Sequence, residues 1–246
     1  MRVNASKAPP VSLLEGAALF LDFDGTLVEL AETPGAISVS PGLVPLLRRL
    51  SERLSGRLAI VSGRAIADLE RHLDCSGVAV SGSHGLELRL AGGAHIPLAG
   101  PVDLGEVRGK IERFAAQAPG LLVEVKPASV ALHYRQAPGE AERVERFMAA
   151  LAHKSGLALQ PGKMVFELRP RGADKGDAVR AFMAEPEFGG ARPLFVGDDL
   201  TDEDAFEAAA AMGGAGILVG PPRATAAEFR LADVRAVAAW LEQAAR

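Results

Sequence analysis

The sequence predicts an α/β fold, with a doubly wound, mostly parallel sheet as its core and a smaller α/β domain inserted into it. Short apolar runs bounded by turn residues alternate with longer runs of helical period, which is typical of a parallel sheet covered by helices. This alternation stops in a glycine-rich stretch after residue 81 and resumes near residue 174. We therefore expect a core made of residues 1–102 and 171–246, and an inserted domain made of residues 103–170.

The first half of the core follows from its apolar runs. The run Ala17–Leu21 predicts the first strand. Leucines at helical spacing predict a helix after Pro41, since proline favours the start of a helix. A second strand over residues 57–61, a helix over 65–73 and a third strand over 78–81 complete this half, and glycines then interrupt the pattern.

The inserted domain has a different order of elements. Its first helix is predicted from Val107, Ile111 and Phe114 on one face, and its second from Val144 and Met148. Two strands lie between these helices and one strand follows the second. We therefore expect two helices packed on a three-stranded sheet.

The second half of the core restores the regular alternation. A helix begins at about Asp174, a strand covers residues 193–196, a helix covers 201–212, a strand covers 217–219, and a last helix surrounds Trp240. These elements would complete the doubly wound sheet.

Composition excludes several classes of function. Lys and Arg total 27 against 31 Asp and Glu, a net charge of −4, so the chain lacks the positive field that binds nucleic acid or an anionic membrane. The single cysteine, Cys75, predicts a buried structural thiol and no need for an oxidising compartment. With no apolar leader or membrane-spanning run, a cytoplasmic location is expected. The sequence does not define the oligomeric state and is compatible with a monomer.

Two carboxylates, Asp22 and Asp24, follow the first strand directly. Open α/β sheets bind their ligands at this edge. Side chains two residues apart in an extended chain project to the same side, so the pair would repel unless a divalent cation or a shared proton lay between them. Gly25 permits a sharp turn beside an anion, and Thr26 adds a hydroxyl donor. The segment predicts a magnesium-dependent phosphate site.

A second acidic cluster follows another predicted strand and includes Asp198, Asp199 and Asp202. The fold could bring these carboxylates to the same edge, where they would share a metal with Asp22. The structural alternative is a helix start with Thr201 as N-cap and acidic residues in the first turn.

A cradle for a phosphate dianion is predicted from Ser62, at the end of a strand, and Lys175, at the start of a helix. Either residue alone would more often be a helix cap or a solvated charge. The four segments together make the case.

The strands of the inserted domain alternate apolar and polar residues. Glu124 and Lys126 share one face of their strand, and Glu167 lies on the polar side of another. Two helices can cover only the apolar face, which leaves a charged face that suits a sugar. A merely solvated face is the equally weighted alternative from alternation alone.

The order of these motifs resembles the haloacid-dehalogenase-like (HAD) superfamily of phosphohydrolases, and the insertion lies where one branch of it carries an α/β cap. The finer wording resembles the trehalose-6-phosphate phosphatase family over nearly the whole chain. The segments that carry this second resemblance are Leu21-Asp22-Phe23-Asp24-Gly25-Thr26-Leu27, Val61-Ser62-Gly63-Arg64, Gly82-Ser83-His84-Gly85-Leu86-Glu87, Ala173-Asp174-Lys175-Gly176 and Gly197-Asp198-Asp199-Leu200-Thr201-Asp202-Glu203.

The resemblance implies hydrolysis of trehalose 6-phosphate to trehalose and inorganic phosphate, the last step of trehalose biosynthesis. Asp22 would be the nucleophile and form an aspartyl phosphate, and Asp24 the general acid and base. Mg²⁺ would be bound by the carboxylates of Asp22 and Asp198 and by the main-chain carbonyl of Asp24, with Asp199 and Asp202 ordering its surroundings.

Substrate contacts are expected at several further positions. Glu124, Lys126 and Glu167 would bind the distal glucose, as the resemblance implies for acidic and basic residues of the cap. His84 is assigned as a substrate contact in preference to His133, and Arg64 would orient the phosphate or pair with an acid.

Three alternatives remain open at this point. The four core motifs specify phosphoryl transfer but not the alcohol, so sucrose phosphate, mannosyl phosphoglycerate or a hexose phosphate could be the substrate. A receiver-like phosphorylation switch shares the strand-end carboxylates, the hydroxyl and the lysine, but lacks a second Asp two residues after the nucleophile and an insertion of this size. A catalytically silent, glycan-sensing relative is the third.

Overall fold

The computed structural model describes residues 3–4, 7–30, 37–96, 104–126, 129–162, 164–170 and 174–246. The chain divides into two compact units, the first formed by Met1–Leu98 with Ala173–Arg246 and the second by Ala99–Gly172.

The first unit contains ten strands and five helices among its described residues. Those that precede the second unit in the chain are β1 (Val3–Asn4), β2 (Ala17–Leu21), α1 (Leu43–Arg53), β3 (Leu58–Val61), α2 (Ile66–His72), β4 (Ala79–Gly82), β5 (Glu87–Arg89) and β6 (His95–Ile96). The second unit contributes α3 (Gly105–Ala115), β7 (Leu122–Lys126), β8 (Ser129–His133), α4 (Ala141–Ser155), β9 (Ala158–Gly162) and β10 (Val165–Arg169). The first unit then continues with α5 (Lys175–Ala184), β11 (Arg192–Gly197), α6 (Glu203–Ala211), β12 (Ala215–Val219), β13 (Ala224–Thr225), β14 (Phe229–Leu231) and α7 (Val234–Ala244).

An eight-stranded sheet in the order β14-β12-β11-β2-β3-β4-β5-β6 forms the first unit. The six strands from β14 to β4 are parallel neighbours. In this register Leu21 lies between Val196 of β11 and Ile60 of β3. The carboxyl ends of the three central strands therefore meet at one edge, where Asp22, Ser62 and Asp198 follow them.

Helices cover both faces of this sheet, as the doubly wound prediction requires. Helices α1, α2 and α7 pack on one face, with Leu47, Leu69 and Trp240 buried among strand residues. Helices α5 and α6 pack on the other, with Phe182 and Phe206 buried. All five residues of β2 are buried because both its faces are covered. The predicted fold class is confirmed.

Two short antiparallel strands, β5 and β6, extend the sheet where the sequence predicted only a glycine-rich interruption. Leu88 of β5 is buried in the core beneath α5 and α6. The run of three residues in β5 is too short for a periodicity argument, since alternation needs at least four residues to be read. Strands β5 and β6 therefore form within a segment whose glycines hid them from the sequence analysis.

The second unit is a four-stranded antiparallel sheet in the order β7-β8-β10-β9, with α3 and α4 against one face. The helices bury Val130, Leu132 and Leu168 of the sheet. On the opposite face Glu124 of β7 and Glu167 of β10 both lie beside Ala131 of β8. The structure thus confirms one apolar face and one polar face.

The expectation of three strands in the second unit was wrong, because β9 adds a fourth. Its sequence ends in Pro161 and Gly162, which argue against a strand. Strand β9 is an edge strand, where a proline can be accommodated because one side of its backbone needs no partner.

The predicted buried thiol is confirmed. Cys75 is 3% exposed, and its thiol donates to the carbonyl of Leu73. Burial and the nearby Glu70 charge raise the pKa of Cys75 to about 11, so the reactive thiolate is scarce near neutral pH. Within the described residues, no helix combines the length and apolarity needed to cross a membrane.

Candidate active site

Asp22 is held at the carboxyl edge of the sheet by the strand that precedes it. Its N–H donates to the carbonyl of Val196 at 2.9 Å, which continues the ladder between β2 and β11 by one residue. The residue is 3% exposed. Burial raises the pKa of the Asp22 carboxyl well above its ordinary value, against the opposing effect of Lys175, and the charge of Asp202 adds to the rise. Such a carboxylate needs cations nearby.

Lys175 supplies one of those cations. Its Nζ lies 2.7 Å from Oδ1 of Asp22 and 2.6 Å from Oδ1 of Asp202. Burial disfavours the ammonium, but the charges of Asp202 and Asp22 outweigh burial and raise the pKa of Lys175. A capping box between Asp174 and Asp177 fixes the start of α5, where Lys175 is the first residue. Lys175 therefore stays charged and orients both carboxylates.

Asp22, Asp198 and Asp202 can bring carboxylate oxygens within 4.8 Å of one another. Both oxygens of Asp202 are already engaged, Oδ1 with Lys175 and Oδ2 with the N–H of Asp199 at 2.9 Å. In contrast, Oδ1 of Asp198 is buried and has no hydrogen-bond partner among the described residues. Burial and the charge of Asp202 raise the pKa of Asp198 to about 6. Oxygen donors of this kind are the ligands that Mg²⁺ and Ca²⁺ take, so a divalent cation would compensate the charge of these clustered carboxylates.

Gly25 turns the chain next to Asp198. Its φ is +81°, a conformation that L-residues with side chains rarely adopt. A Cβ at this position would lie 2.1 Å from Oδ2 of Asp198. Only glycine leaves room for the Asp198 carboxylate beside this turn.

Two predicted phosphate-binding hydroxyls are buried at the same edge of the sheet. The Thr26 hydroxyl has no hydrogen-bond partner in the described part of the chain. Ser62 is 1% exposed, and its Oγ accepts the N–H of Arg64 at 3.1 Å. Accepting that bond leaves the Ser62 hydroxyl proton available to an anion.

Arg64 contacts Asp24 through two parallel hydrogen bonds, from Nε at 2.6 Å and from Nη2 at 2.9 Å. Its third nitrogen, Nη1, donates to Asp68 at 2.8 Å. Of the two roles that the sequence allowed for Arg64, pairing with an acid is the one seen here. This bidentate geometry fixes the orientation of the Asp24 carboxylate. A substrate contact of Arg64 stays a prediction.

His84 lies in a strained turn next to Ser62. Ser83 and His84 have φ values of 51° and 56°, which are uncommon for residues other than glycine. The N–H of His84 donates to the carbonyl of Ser62 at 3.1 Å. A Cβ on Gly63 would lie 2.6 Å from the imidazole ring. The turn thus places the His84 ring against the segment that follows β3.

The helical turn in the second acidic cluster does not begin where the structural alternative placed it. Asp199, and not Thr201, is the N-cap, since its carboxylate accepts the N–H of Leu200 and forms a capping box with Asp202. Sequence reasoning also misses Glu203, which the structural alternative treats only as an acidic residue of a first helical turn but which is 3% exposed. An acidic residue next to a capping box gave no signal that could distinguish a buried partner from a solvated one.

The predicted sugar-binding residues lie in the second unit. Oε2 of Glu124 lies 2.8 Å from Nε2 of His133, and Oε1 of Glu167 accepts a hydrogen bond from the hydroxyl of Ser129 at 2.5 Å. Lys126 is the last residue of β7, and its side chain lies outside the described part of the structure. Two of the three predicted sugar-binding side chains, those of Glu124 and Glu167, are therefore held by neighbouring side chains on the polar face of the sheet.

Comparison with known proteins gives consistent matches. A family model described as trehalose-phosphatase matches residues 20–235. A probable trehalose-phosphate phosphatase of Sinorhizobium fredii is 41% identical over 211 residues, which are 85% of this chain and 80% of that protein. Trehalose-6-phosphate phosphatase of Escherichia coli is 37% identical over 227 residues, 92% of this chain and 85% of that protein.

Solved structures are similar over almost the whole chain. The C-terminal domain of C. albicans trehalose-6-phosphate phosphatase superposes with a TM-score of 0.78 at 26% identity and covers 98% of each chain. A trehalose-6-phosphate phosphatase related protein gives a TM-score of 0.72 at 29% identity, over 92% of this chain and 96% of that one.

Proposed function

This chain belongs to the trehalose-phosphatase family, and from that membership we propose that it hydrolyses trehalose 6-phosphate to trehalose and inorganic phosphate. The observation that carries the proposal is the position of Asp22, a buried carboxylate at a sheet edge, oriented by Lys175 and grouped with Asp198 and Asp202. The same reaction would be the last step of trehalose biosynthesis.

The proposed mechanism has two displacements at phosphorus. An oxygen of Asp22 attacks phosphorus, the bond from phosphorus to the sugar oxygen breaks, and Asp24, which enters this step as the carboxylic acid, gives the leaving oxygen its proton. Asp24 then takes a proton from water as that water attacks the aspartyl phosphate, which releases phosphate and restores Asp22. Thr26, Ser62 and Lys175 would bind the phosphoryl oxygens. The contact between Nζ of Lys175 and Oδ1 of Asp22 supports this assignment, because it places the ammonium beside the proposed nucleophile.

We assign the metal as Mg²⁺, bound by the carboxylates of Asp22 and Asp198 and the main-chain carbonyl of Asp24. When bound, the ion would neutralise charge on the phosphoryl oxygens. Within the described residues Oδ1 of Asp198 has no hydrogen-bond partner, which supports its role as a ligand. The contacts of Asp202 support a role other than metal binding, since its two oxygens accept hydrogen bonds from Lys175 and from the N–H of Asp199. Asp199 and Asp202 would thus order the site without binding the ion directly.

Replacement of Gly25 tests the metal assignment. Gly25→Ala is expected to weaken Mg²⁺ activation about 10–100-fold, because the new methyl group would displace the Asp198 carboxylate. The matched control is Gly16→Ala, which has a similar φ of +68° but no heavy atom within 4 Å of the added Cβ. Both variants should lose about 1 kcal/mol of stability from backbone strain. Equal Mg²⁺ dependence of phosphate release in the two variants would contradict the assignment.

The polar face of the second unit is proposed to select the sugar. Glu124 and Glu167 offer acceptors for vicinal hydroxyls, and Lys126 is proposed to add a donor. The positions of Glu124 and Glu167 on either side of Ala131 support this role. His84 and Arg64 are retained as proposed contacts with the substrate from the first unit.

Variants of the two glutamates test sugar selection. Glu124→Ala or Glu167→Ala is expected to lower kcat/KM for trehalose 6-phosphate about 10–100-fold, as hydrogen bonds to a charged group are lost. Turnover of glucose 6-phosphate should change less than about threefold. Glu145→Ala, at an exposed position on α4, is the control in the same unit. If discrimination between the two sugar phosphates were unchanged, this face would be a solvated surface.

A phosphate-release assay over a panel of sugar phosphates, with and without Mg²⁺, tests the proposed function directly. We expect trehalose 6-phosphate to be the preferred substrate and release to require the metal. Preference for sucrose phosphate, mannosyl phosphoglycerate or a hexose phosphate would retain the chemistry and overturn the substrate. No release from any of them would favour a phosphorylation switch or a glycan-sensing role. The expected cytoplasmic location and the oligomeric state stay predictions.

A further inference from the structure

Glu203 is a buried acid that the proposed chemistry does not use. It is the first residue of α6, and its side chain is 4% exposed. Its carboxylate accepts hydrogen bonds from the hydroxyl of Thr225 and the N–H of Ala226, both at 2.8 Å, and from the guanidinium of Arg223. A carboxylate with this many donors is fixed in position and can anchor another group.

The group that it anchors is Arg223, whose guanidinium extends to the turn after β11. Nη1 of Arg223 donates to Glu203, while Nη2 donates to the carbonyl of Asp199 at 2.8 Å and lies 3.5 Å from that of Asp198. One planar side chain therefore connects a buried carboxylate to the main chain of the residues that would bind and surround the metal.

The same turn is held from its other side by its own acids. The N–H of Asp199 donates to Asp202, and the N–H of Leu200 donates to the carboxylate of Asp199. The N–H groups of the turn are thus bonded to carboxylates, and its carbonyls to Arg223. Together these contacts fix the main chain from which the Asp198 side chain projects, with an Oδ1 that has no hydrogen-bond partner in the part of the chain the structure describes.

The charge of Arg223 matters as well as its shape. Asp198, Asp199 and Asp202 place three carboxylates in and beside this turn. A guanidinium bonded to the adjacent carbonyls lowers the cost of holding several carboxylates together. Lysine could replace it only in part, because a single ammonium on a flexible stem keeps the charge but lacks the planar fork that reaches two partners at once.

We propose that Arg223, anchored by Glu203, is a positioning residue for the divalent metal site, fixing the Asp198–Asp199 turn so that Asp198 can bind Mg²⁺. This rests on the proposed function, which supplies the metal. In this role Arg223 would act through the turn and not by direct contact with the substrate or the ion. Its removal should therefore weaken Mg²⁺ binding while leaving the chemistry at saturating metal largely intact.

The test compares Arg223→Met and Arg223→Lys with the wild-type protein. Mg²⁺ binding is measured by calorimetry without substrate, and phosphate release from trehalose 6-phosphate is measured across Mg²⁺ concentrations. We expect the Kd for Mg²⁺ to rise about tenfold in Arg223→Met and by a smaller factor in Arg223→Lys. At saturating Mg²⁺, kcat should stay within about threefold and KM should not change. Arg48→Met, which removes an exposed pair with Asp74, is the control.

The outcomes separate this role from a purely structural one. A lower melting temperature or a lower kcat at saturating Mg²⁺, with a Kd for Mg²⁺ within twofold of the wild type, would overturn the inference. If Arg223→Met does not fold, the same criteria apply to Arg223→Lys, which keeps the charge and most of the volume. A wild-type protein that neither binds Mg²⁺ nor releases phosphate would overturn the proposed function as well, whereas an unchanged Kd in active variants overturns only the role of Arg223.

Discussion

Asp22→Asn is expected to abolish phosphate release, with kcat lowered by at least about 10⁴-fold, because an amide cannot attack phosphorus. The substitution keeps the shape of the side chain, and the Asp22 N–H would still donate to Val196. Stability should therefore be retained. The measurement is phosphate release from trehalose 6-phosphate at saturating Mg²⁺, with the melting temperature as a check on folding.

Asp74→Asn is the control for that substitution. Asp74 is an exposed aspartate of the same unit, paired with Arg48 at 2.6 Å, and takes no part in the site. Its activity should equal that of the wild type. Substantial turnover by Asp22→Asn would mean that another group attacks phosphorus, and the mechanism proposed for Asp22 would be wrong.

Lys175→Met is expected to reduce both stability and activity. Removing the ammonium leaves Asp22 and Asp202 buried without their shared partner, which should cost about 3–5 kcal/mol of the free energy of unfolding. Activity should fall as well, because Asp22 loses the contact that orients it and the phosphate loses a donor. Urea denaturation measures the first effect, and phosphate release under folded conditions measures the second.

A lysine outside the site provides the comparison. Lys110 pairs with Glu106 on the exposed side of α3, and Lys110→Met should change stability by no more than about 0.5 kcal/mol. If Lys175→Met were as stable as Lys110→Met, the two buried carboxylates would not depend on Lys175. The electrostatic account of the site would then be wrong.

The positions of the acidic residues at strand ends could be predicted because they adjoin apolar runs. Asp22 and Asp198 each follow a run that is too apolar to be exposed, and parallel strands share one edge. The sequence pattern thus predicted that the clusters around Asp22 and Asp198, which most of the chain separates, lie at the same edge of the sheet. The same reasoning placed Ser62, which follows the strand between them in the sequence.

The partners within the site could not be predicted, since they join segments that are distant in sequence and have no shared periodicity. Arg64 contacts Asp24 across 40 positions, and Glu203 contacts Arg223 across 20. A charged residue after a strand or in a first helical turn has the same local pattern whether it is solvated or paired. Only the packed structure distinguishes the two, because burial decides which charges need partners.

Short strands escaped prediction for a related reason. Strand β5 has three residues, and β9 contains a proline, so neither gives an alternation that differs from a loop. Both are stabilised by pairing with a neighbouring strand that was predicted or adjoins a predicted one, β5 with β4 and β9 with β10. The strongly patterned strand β2 was accordingly predicted with its observed bounds and the start of α1 to within one or two residues, whereas β5, β6 and β9 were not predicted.

The central claim is that the Asp22 carboxylate receives the phosphoryl group. Rapid quenching during turnover of trehalose 6-phosphate, followed by borohydride reduction, converts an aspartyl phosphate into homoserine, which peptide mass spectrometry can locate. We predict homoserine at position 22 and none at Asp24, Asp198 or Asp202. Steady turnover with no homoserine at position 22, or with homoserine at another aspartate, would contradict the account.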